Sequence, residues 1–140
     1  MKIYALDSNI ISEMLKDNEH IINRYEQEII QGREFIIPPI VFYEIQRGLL
    51  AKNMLKRLKN FEEFCKDIEI GEFNVHVWLK AAQIYAGLSK QGKPIGAMFD
   101  GDIFIAAYCI VNGYTLITRN KDHFERIDDL QFKNWNEEIN

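Results

Sequence analysis

Two acids stand at the head of a long apolar run. In Ile95-Gly96-Ala97-Met98-Phe99-Asp100-Gly101-Asp102-Ile103-Phe104-Ile105-Ala106-Ala107-Tyr108-Cys109-Ile110-Val111 the charged residues are Asp100 and Asp102 alone. A carboxylate buried without a partner takes up a proton or finds a cation, because an isolated charge in low dielectric is costly. Helix capping is one account: Asp100 before Gly101 accepts a backbone N–H, and Asp102 sits in the first turn at the positive end of the helix dipole. A metal is the other. Residues two apart lie about 200° apart around a helix, so only one of the pair faces a given ion. Ile105 and Ala106 follow Asp102 at three and four residues, so its face runs on into the core. Asp102 is therefore the candidate ligand and Asp100 the candidate cap.

Two further acids raise the same question. Asp7 follows a short apolar segment and precedes Ser8-Asn9, a place that suits a helix cap as well as a ligand. Glu44 is the only acid between Glu34 and Glu62, on a helix whose other positions ask to be buried. It either pairs with Arg47 three residues on or belongs to a site. Three carboxylates brought together repel, by about 4 kcal/mol for each pair at 4 Å and an effective dielectric of 20, and a divalent cation reverses that sign. All-oxygen ligands without thiol or imidazole select magnesium or manganese over zinc. Such ions bind phosphate oxygens, which makes phosphodiester hydrolysis the natural chemistry. His20, His76 and His123 have no zinc-ligand spacing and read as surface or internally satisfied side chains. Cys65 and Cys109, with no CxxC pattern, read as small core residues of a reducing compartment.

The elements that must position these acids follow from periodicity. Residues 2–6 form a strand that runs into a helix carrying Ile10, Ile11, Met14 and Leu15. A second helix spans 19–31, with Ile21, Ile22, Tyr25, Ile29 and Ile30 inward and Gly32 as its stop. A strand over 34–37 ends at Pro38-Pro39, and the helix bearing Glu44 follows over 40–50. The next helix, 52–66, sets a basic face (Lys52, Lys56, Lys59) against an apolar one that includes Leu55, Leu58 and Phe61. An edge strand at 67–70, an amphipathic helix over 73–90 and a loop at 91–94 lead to the helix that opens at Asp100. A strand at 114–118, a short helix ending at Phe124 and a last strand within 132–135 complete the chain. Strands alternating with helices mean an α/β fold, its mostly parallel central sheet covered on both faces, in a single domain over 1–140. Ligands of such sheets bind beyond the carboxyl ends of the strands, where Asp7 and Asn120 fall.

Composition sets the outer bounds. With 140 residues, 47% hydrophobic and 27% charged, the chain suits a globular fold. No apolar run approaches the ~18 residues of a membrane span, and the first apolar segment is too short for a signal peptide. The cytoplasm is the expected location. A formal charge of −4 argues against a surface that grips nucleic acid everywhere, yet residues 45–60 carry five basic residues and no acid.

Taken together, Ala5-Leu6-Asp7-Ser8-Asn9-Ile10-Ile11, Pro39-Ile40-Val41-Phe42-Tyr43-Glu44-Ile45 with Gly48, Asp102-Ile103-Phe104-Ile105-Ala106-Ala107 and Leu116-Ile117-Thr118-Arg119-Asn120 with Phe124 resemble the four ordered motifs of PIN-domain ribonucleases. They look most like the VapC toxins of toxin–antitoxin pairs, and Leu130-Gln131-Phe132-Lys133-Asn134-Trp135 is similar to their ending. The resemblance implies a PIN-like three-layer α/β/α sandwich and a Mg2+- or Mn2+-dependent endoribonuclease that leaves a 5′-phosphate and a 3′-hydroxyl. It further implies a homodimer, silenced by a cognate antitoxin protein and acting on RNA, such as tRNA or another structured RNA. By position Asp7, Glu44 and Asp102 match the family's three acids, with Asp7 and Asp102 on the metal and Glu44 on it directly or through water. Where many members have a fourth acid, this chain has Asn120; Asp122 two residues on either substitutes through water or caps the helix before Phe124. Asn9 and Thr118 fit roles orienting carboxylates, or are turn residues. Lys52, Lys56 and Lys59 either hold RNA phosphates or form a solvated face. Two rival readings remain: an inert PIN-like scaffold that binds RNA or protein, and a phosphohydrolase with Asp7 as nucleophile, whose partner acid would stand at Asn9.

Overall fold

Tyr4, Ala5 and Leu6 form a three-residue strand, β1 (Tyr4–Leu6), buried on both faces, as strands covered by helices on each side must be. The computed structural model describes residues 2–92 and 100–137. After β1 come α1 (Ser8–Leu15), α2 (Glu19–Ile30), β2 (Phe35–Ile37), α3 (Pro39–Ala51), α4 (Leu55–Phe64), β3 (Glu69–Ile70), α5 (Val75–Lys90), α6 (Asp100–Asn112), β4 (Thr115–Ile117), α7 (Lys121–Phe124) and β5 (Phe132–Lys133). The strands pair in the order β3-β2-β1-β4-β5, every pair parallel. The expected alternation of strands and helices is therefore present, in an α/β/α arrangement whose sheet is wholly parallel.

That strand order has a functional consequence. From β1 the chain moves outward to β2 and β3, then crosses to the other side of β1 to lay down β4 and β5. The reversal leaves a crevice at the carboxyl ends of β1 and β4, the common ligand site of open parallel sheets. A helix between parallel strands runs opposite to them, so the N-terminus of α6, which leads into β4, also lies at this edge.

The core is built from Leu6, Ile10, Ile11, Ile21, Ile37, Val41, Phe61, Ile105, Leu116, Ile117, Phe124 and Trp135, all fully buried. Trp135 packs edge-on to Phe35, with centroids 6.0 Å apart, under the Arg24 guanidinium. Its carbonyl lies 3.0 Å from His20 Nε2, which ties the last strand's sequel to α2.

Several local expectations need correction. Lys52 is the C-cap of α3 rather than the start of the next helix, because Asn53 turns left-handed (φ 54°) and breaks the run; asparagine tolerates that conformation. Leu55, expected inward, is 64% exposed as the first residue of α4. Ile29 and Ile30 are likewise exposed, Ile30 ending α2 just before the turn at Gly32 (φ 92°). The helix expected from residue 73 starts two residues later, where the Asn74 side chain accepts from the backbone of His76 and Val77. Residues 93–94 of the expected loop and the residue before Asp100 lie outside the described residues. Among the described residues no helix is long and apolar enough to cross a membrane.

Two glycines test the packing. A side chain at Gly71 would run into the buried Tyr108 ring, whereas one at Gly87, inside α5, meets nothing within 4 Å. Urea denaturation should show Gly71→Ala destabilised by about 1–3 kcal/mol and Gly87→Ala stabilised by roughly 0.5–1 kcal/mol.

Candidate active site

Asp7 leaves the end of β1 and caps α1. Its backbone N–H donates to the Ile117 carbonyl (2.9 Å), which locks it against the end of β4. The Ser8 backbone N–H donates to Oδ1 at 2.7 Å and the Thr118 hydroxyl to Oδ2 at 2.7 Å, with the Asn9 amide at 3.3 Å. Asp7 is 2% exposed, so desolvation dominates and lifts its pKa to about 6, the Asp102 charge adding to the rise and the Thr118 and Ser8 hydrogen bonds opposing it. A capping aspartate at the surface would not behave this way.

Asn9 and Thr118 converge on this carboxylate from different ends of the chain. The Asn9 amide also reaches Thr118 Oγ1 at 3.4 Å, and Asn9 Oδ1 accepts from the Arg119 backbone at 3.1 Å. The Asn120 backbone N–H donates to Thr118 Oγ1 at 3.0 Å. Arg119 Nη1, 2.6 Å from Glu13 Oε1, pins the turn after β4 to α1.

Asp102 occupies the first turn of α6 and is half-buried, with Ile105 and Ala106 beneath it in the core. Burial raises its pKa, and the His123 hydrogen bond and the charges of His123 and Arg126 hold it down. His123 Nδ1 lies 2.8 Å from Oδ2. Glu44 reaches the same place from α3. Its Oε2 sits 3.1 Å from where a Cβ on Gly101 would stand, so the residue between the two acids of α6 is the one that lets the glutamate in. Desolvation first, then Asp7 and Asp102, lift the Glu44 pKa to about 7, with Arg47 alone among the causes opposing. Arg47 itself lies over the Tyr43 ring, 5.0 Å from its centroid.

Glu44 Oε1 is buried and, among the described residues, has no hydrogen-bond donor. An acceptor left so is costly, and a cation removes the cost. The described residues contain no group of three His, Cys, Asp or Glu close enough to be a ready-made cage for an ion. Carboxylates that feel one another without a counter-charge resist closing further. What the arrangement supplies is three oxygen-donor side chains on separate elements, sharing one field, with lone pairs to spare. That donor set suits a hard divalent cation.

The weaker candidates sort clearly. Asp100 begins α6, half-buried, and lines a cavity with Trp78 and Phe104. Asp122 is exposed and second in α7, where Asn120 holds the capping position, so it is not the cap; the Asn120 side chain makes no capping bond either. Lys52, Lys56 and Lys59 are all exposed, but only Lys52 shares a cleft with Glu44. Sequence reasoning missed His123, whose signal was its place beside buried Phe124 in a segment already singled out, and Gly101, which matters for what it lacks. An attacking Asp7 does not fit, since both its oxygens are engaged and the residue two on is an amide donating to it.

Comparison with known proteins supplies the family. The sequence matches the PIN domain family over residues 4–130. It is 31% identical over 140 residues to "Ribonuclease VapC1" of Haemophilus influenzae, covering 95% of this chain and 98% of that one. It is 27% identical to the "tRNA(fMet)-specific endonuclease VapC" of Shigella flexneri, over 94% and 97% of the two chains. The fold superposes with a TM-score of 0.84 on a chain of VapBC2 from Rickettsia felis, solved bound to a promoter DNA fragment, at 27% identity over 95% of this chain and 98% of that one.

The raised carboxylates fix a pH dependence. Asp7 and Glu44 bind protons more tightly folded than unfolded, so stability is greatest below about pH 4 as far as these groups are concerned and falls as pH rises toward the folded values of about 6 and 7. In EDTA, Glu44→Gln should flatten that decline and stabilise the protein at pH 8 by about 1–2 kcal/mol, after allowance for partial solvent contact. Urea denaturation at pH 4.5, 6 and 8 measures both.

Proposed function

The chain belongs to the PIN-domain family, and from that premise we propose that it is a metal-dependent endoribonuclease, the toxin of a toxin–antitoxin pair, cutting RNA phosphodiester bonds at the Asp7–Glu44–Asp102 crevice. The observation that carries this reading is the buried, donorless Oε1 of Glu44 in the field of Asp7 and Asp102. Three acids raised by burial, one of them with an unsatisfied oxygen, make sense when a cation completes them.

Asp7 and Asp102 would hold the ion, Mg2+ or Mn2+, and Glu44 would join them directly or through water. Such an ion supplies Lewis acidity toward a phosphate oxygen and makes water a stronger nucleophile. The protein's own contribution is orientation. Thr118 and Asn9 fix the Asp7 carboxylate, His123 fixes Asp102, and Gly101 leaves the space that Glu44 enters. Partners that set carboxylate orientation in this way typically carry a tenfold to hundredfold share of metal affinity or activity. Water adds to phosphorus in line as the bond to the 3′-oxygen breaks; that oxygen takes a proton, and the 5′ side keeps the phosphate.

The substrate is a structured RNA of the tRNA kind, as for the Shigella relative. A small antitoxin protein silences the enzyme, in keeping with the VapBC assembly among its structural neighbours. The protein works as a homodimer in the cytoplasm.

Antitoxin-free protein should cleave tRNA in Mg2+ or Mn2+ and stop in EDTA, with Asp102→Asn falling to background while keeping a wild-type circular dichroism spectrum. Cleavage that survives both the substitution and chelation would overturn the assignment. Thr118→Val should retain activity at a level roughly 10–100-fold lower, rising with added metal, as assayed by initial rates across a Mn2+ titration.

A further inference from the structure

Resting on the nuclease reading above, we propose that the cleft between α1, α3 and α4 seats an RNA backbone phosphate next to the one being cut, held by Lys16, Lys52 and Arg57. The cleft measures about 170 Å³, and its walls carry Glu44 of the acidic crevice together with these three cations. A strand whose scissile phosphate lies at the acids passes this cleft with a neighbouring phosphate, because Glu44 belongs to both.

Helix dipoles and ion pairing do not account for all three charges. Lys16 and Lys52 cap the C-termini of α1 and α3, where a cation complements the helix dipole. Arg57 does the opposite: it stands in the first turn of α4, at the positive end, where a cation is disfavoured. Residues 45–60 contain no acid that could compensate it. Its guanidinium touches the sulfur of Met54 at 4.0 Å. Glu13, whose carboxylate feels Lys16, is already taken by Asn18 at 2.8 Å and Arg119 at 2.6 Å. The cation that bears on Glu44 is Arg47, not any of the three. In a chain of net charge −4, three such cations gathered in one cleft create a local field that draws in anions.

The lining also selects the part of the RNA. Among the described residues no aromatic side chain lines the cleft, and these offer no platform on which a base would stack. The Ser12 hydroxyl is available as a donor, and Gly48, with nothing within 4 Å of where its side chain would begin, leaves the floor open. This is a site for phosphate, indifferent to sequence.

Binding of a labelled RNA hairpin to the antitoxin-free protein, followed by fluorescence anisotropy in EDTA from 50 to 200 mM salt, tests this. The Lys52→Gln/Arg57→Gln variant should bind at least tenfold more weakly, with the slope of log affinity against log salt reduced by about 0.7–0.9, the share of one phosphate contact. In Mg2+ its KM should rise while kcat stays within twofold. Lys56→Gln/Lys59→Gln should match wild type in affinity and slope. Lys52→Gln alone, at an exposed position, should weaken binding and reduce the slope by part of that amount, and decides the matter if the double variant melts early. Equal losses from both double variants, or wild-type affinity and slope in Lys52→Gln/Arg57→Gln, would overturn the proposal. So would a cleft variant whose only loss is binding of a deca-glutamate peptide, which would make the cleft a seat for an acidic protein segment. Because binding is read without metal, a protein that cleaves no RNA would sink the nuclease reading and leave the slopes to judge the cleft.

Discussion

Burial of three carboxylates is the constraint around which this site is arranged. Asp7, Glu44 and Asp102 come from three segments and approach one another where the sheet reverses direction, each pushed toward its protonated form by burial, Asp7 further by Asp102 and Glu44 further by both. Nothing in the core gains from this. The folded chain tolerates it because Thr118, Ser8, Asn9 and His123 supply hydrogen bonds to two of the acids, while Glu44 keeps an oxygen with no donor among the described residues. The least satisfied group is thus the one through which a bound ion gains most.

The surrounding architecture holds that arrangement rigidly. Strands of three residues are enough where both faces are buried, as in β1, β2 and β4, and the β1–β4 pairing fixes Asp7 beside Thr118 through a single backbone hydrogen bond. The α6 dipole favours an anion at Asp102, and the absent side chain at Gly101 brings α3 into range. A site assembled on strand ends and helix termini is more exact than one on loops.

Much of this is legible in the sequence. The order of elements follows from alternating apolar periods, and the acids stand out because each interrupts a stretch that otherwise asks for burial. Glu44, alone between Glu34 and Glu62, is the clearest case. What cannot be read are contacts between segments far apart in the chain. His123 looks like any surface histidine until α7 is laid beside α6, and Arg57 is one more charge on a helix until the end of α3 turns at Asn53. Lys52 reads as part of the following helix because a single left-handed asparagine interrupts an otherwise continuous helical pattern. Ile29 and Ile30 read as inward because hydropathy cannot tell a core face from an apolar one left at the surface.

The central claim, that the three acids share one ion, has a thermodynamic signature independent of catalysis. An ion entering a site whose carboxylates are partly protonated must displace protons. Calorimetric titration of Mn2+ near pH 6.5, in buffers of different ionisation enthalpy, should show release of about one proton per ion bound, an affinity that weakens as pH falls, and loss of that release in Glu44→Gln. Binding without proton release, unchanged from pH 6 to 8 and indifferent to Glu44, would contradict the account.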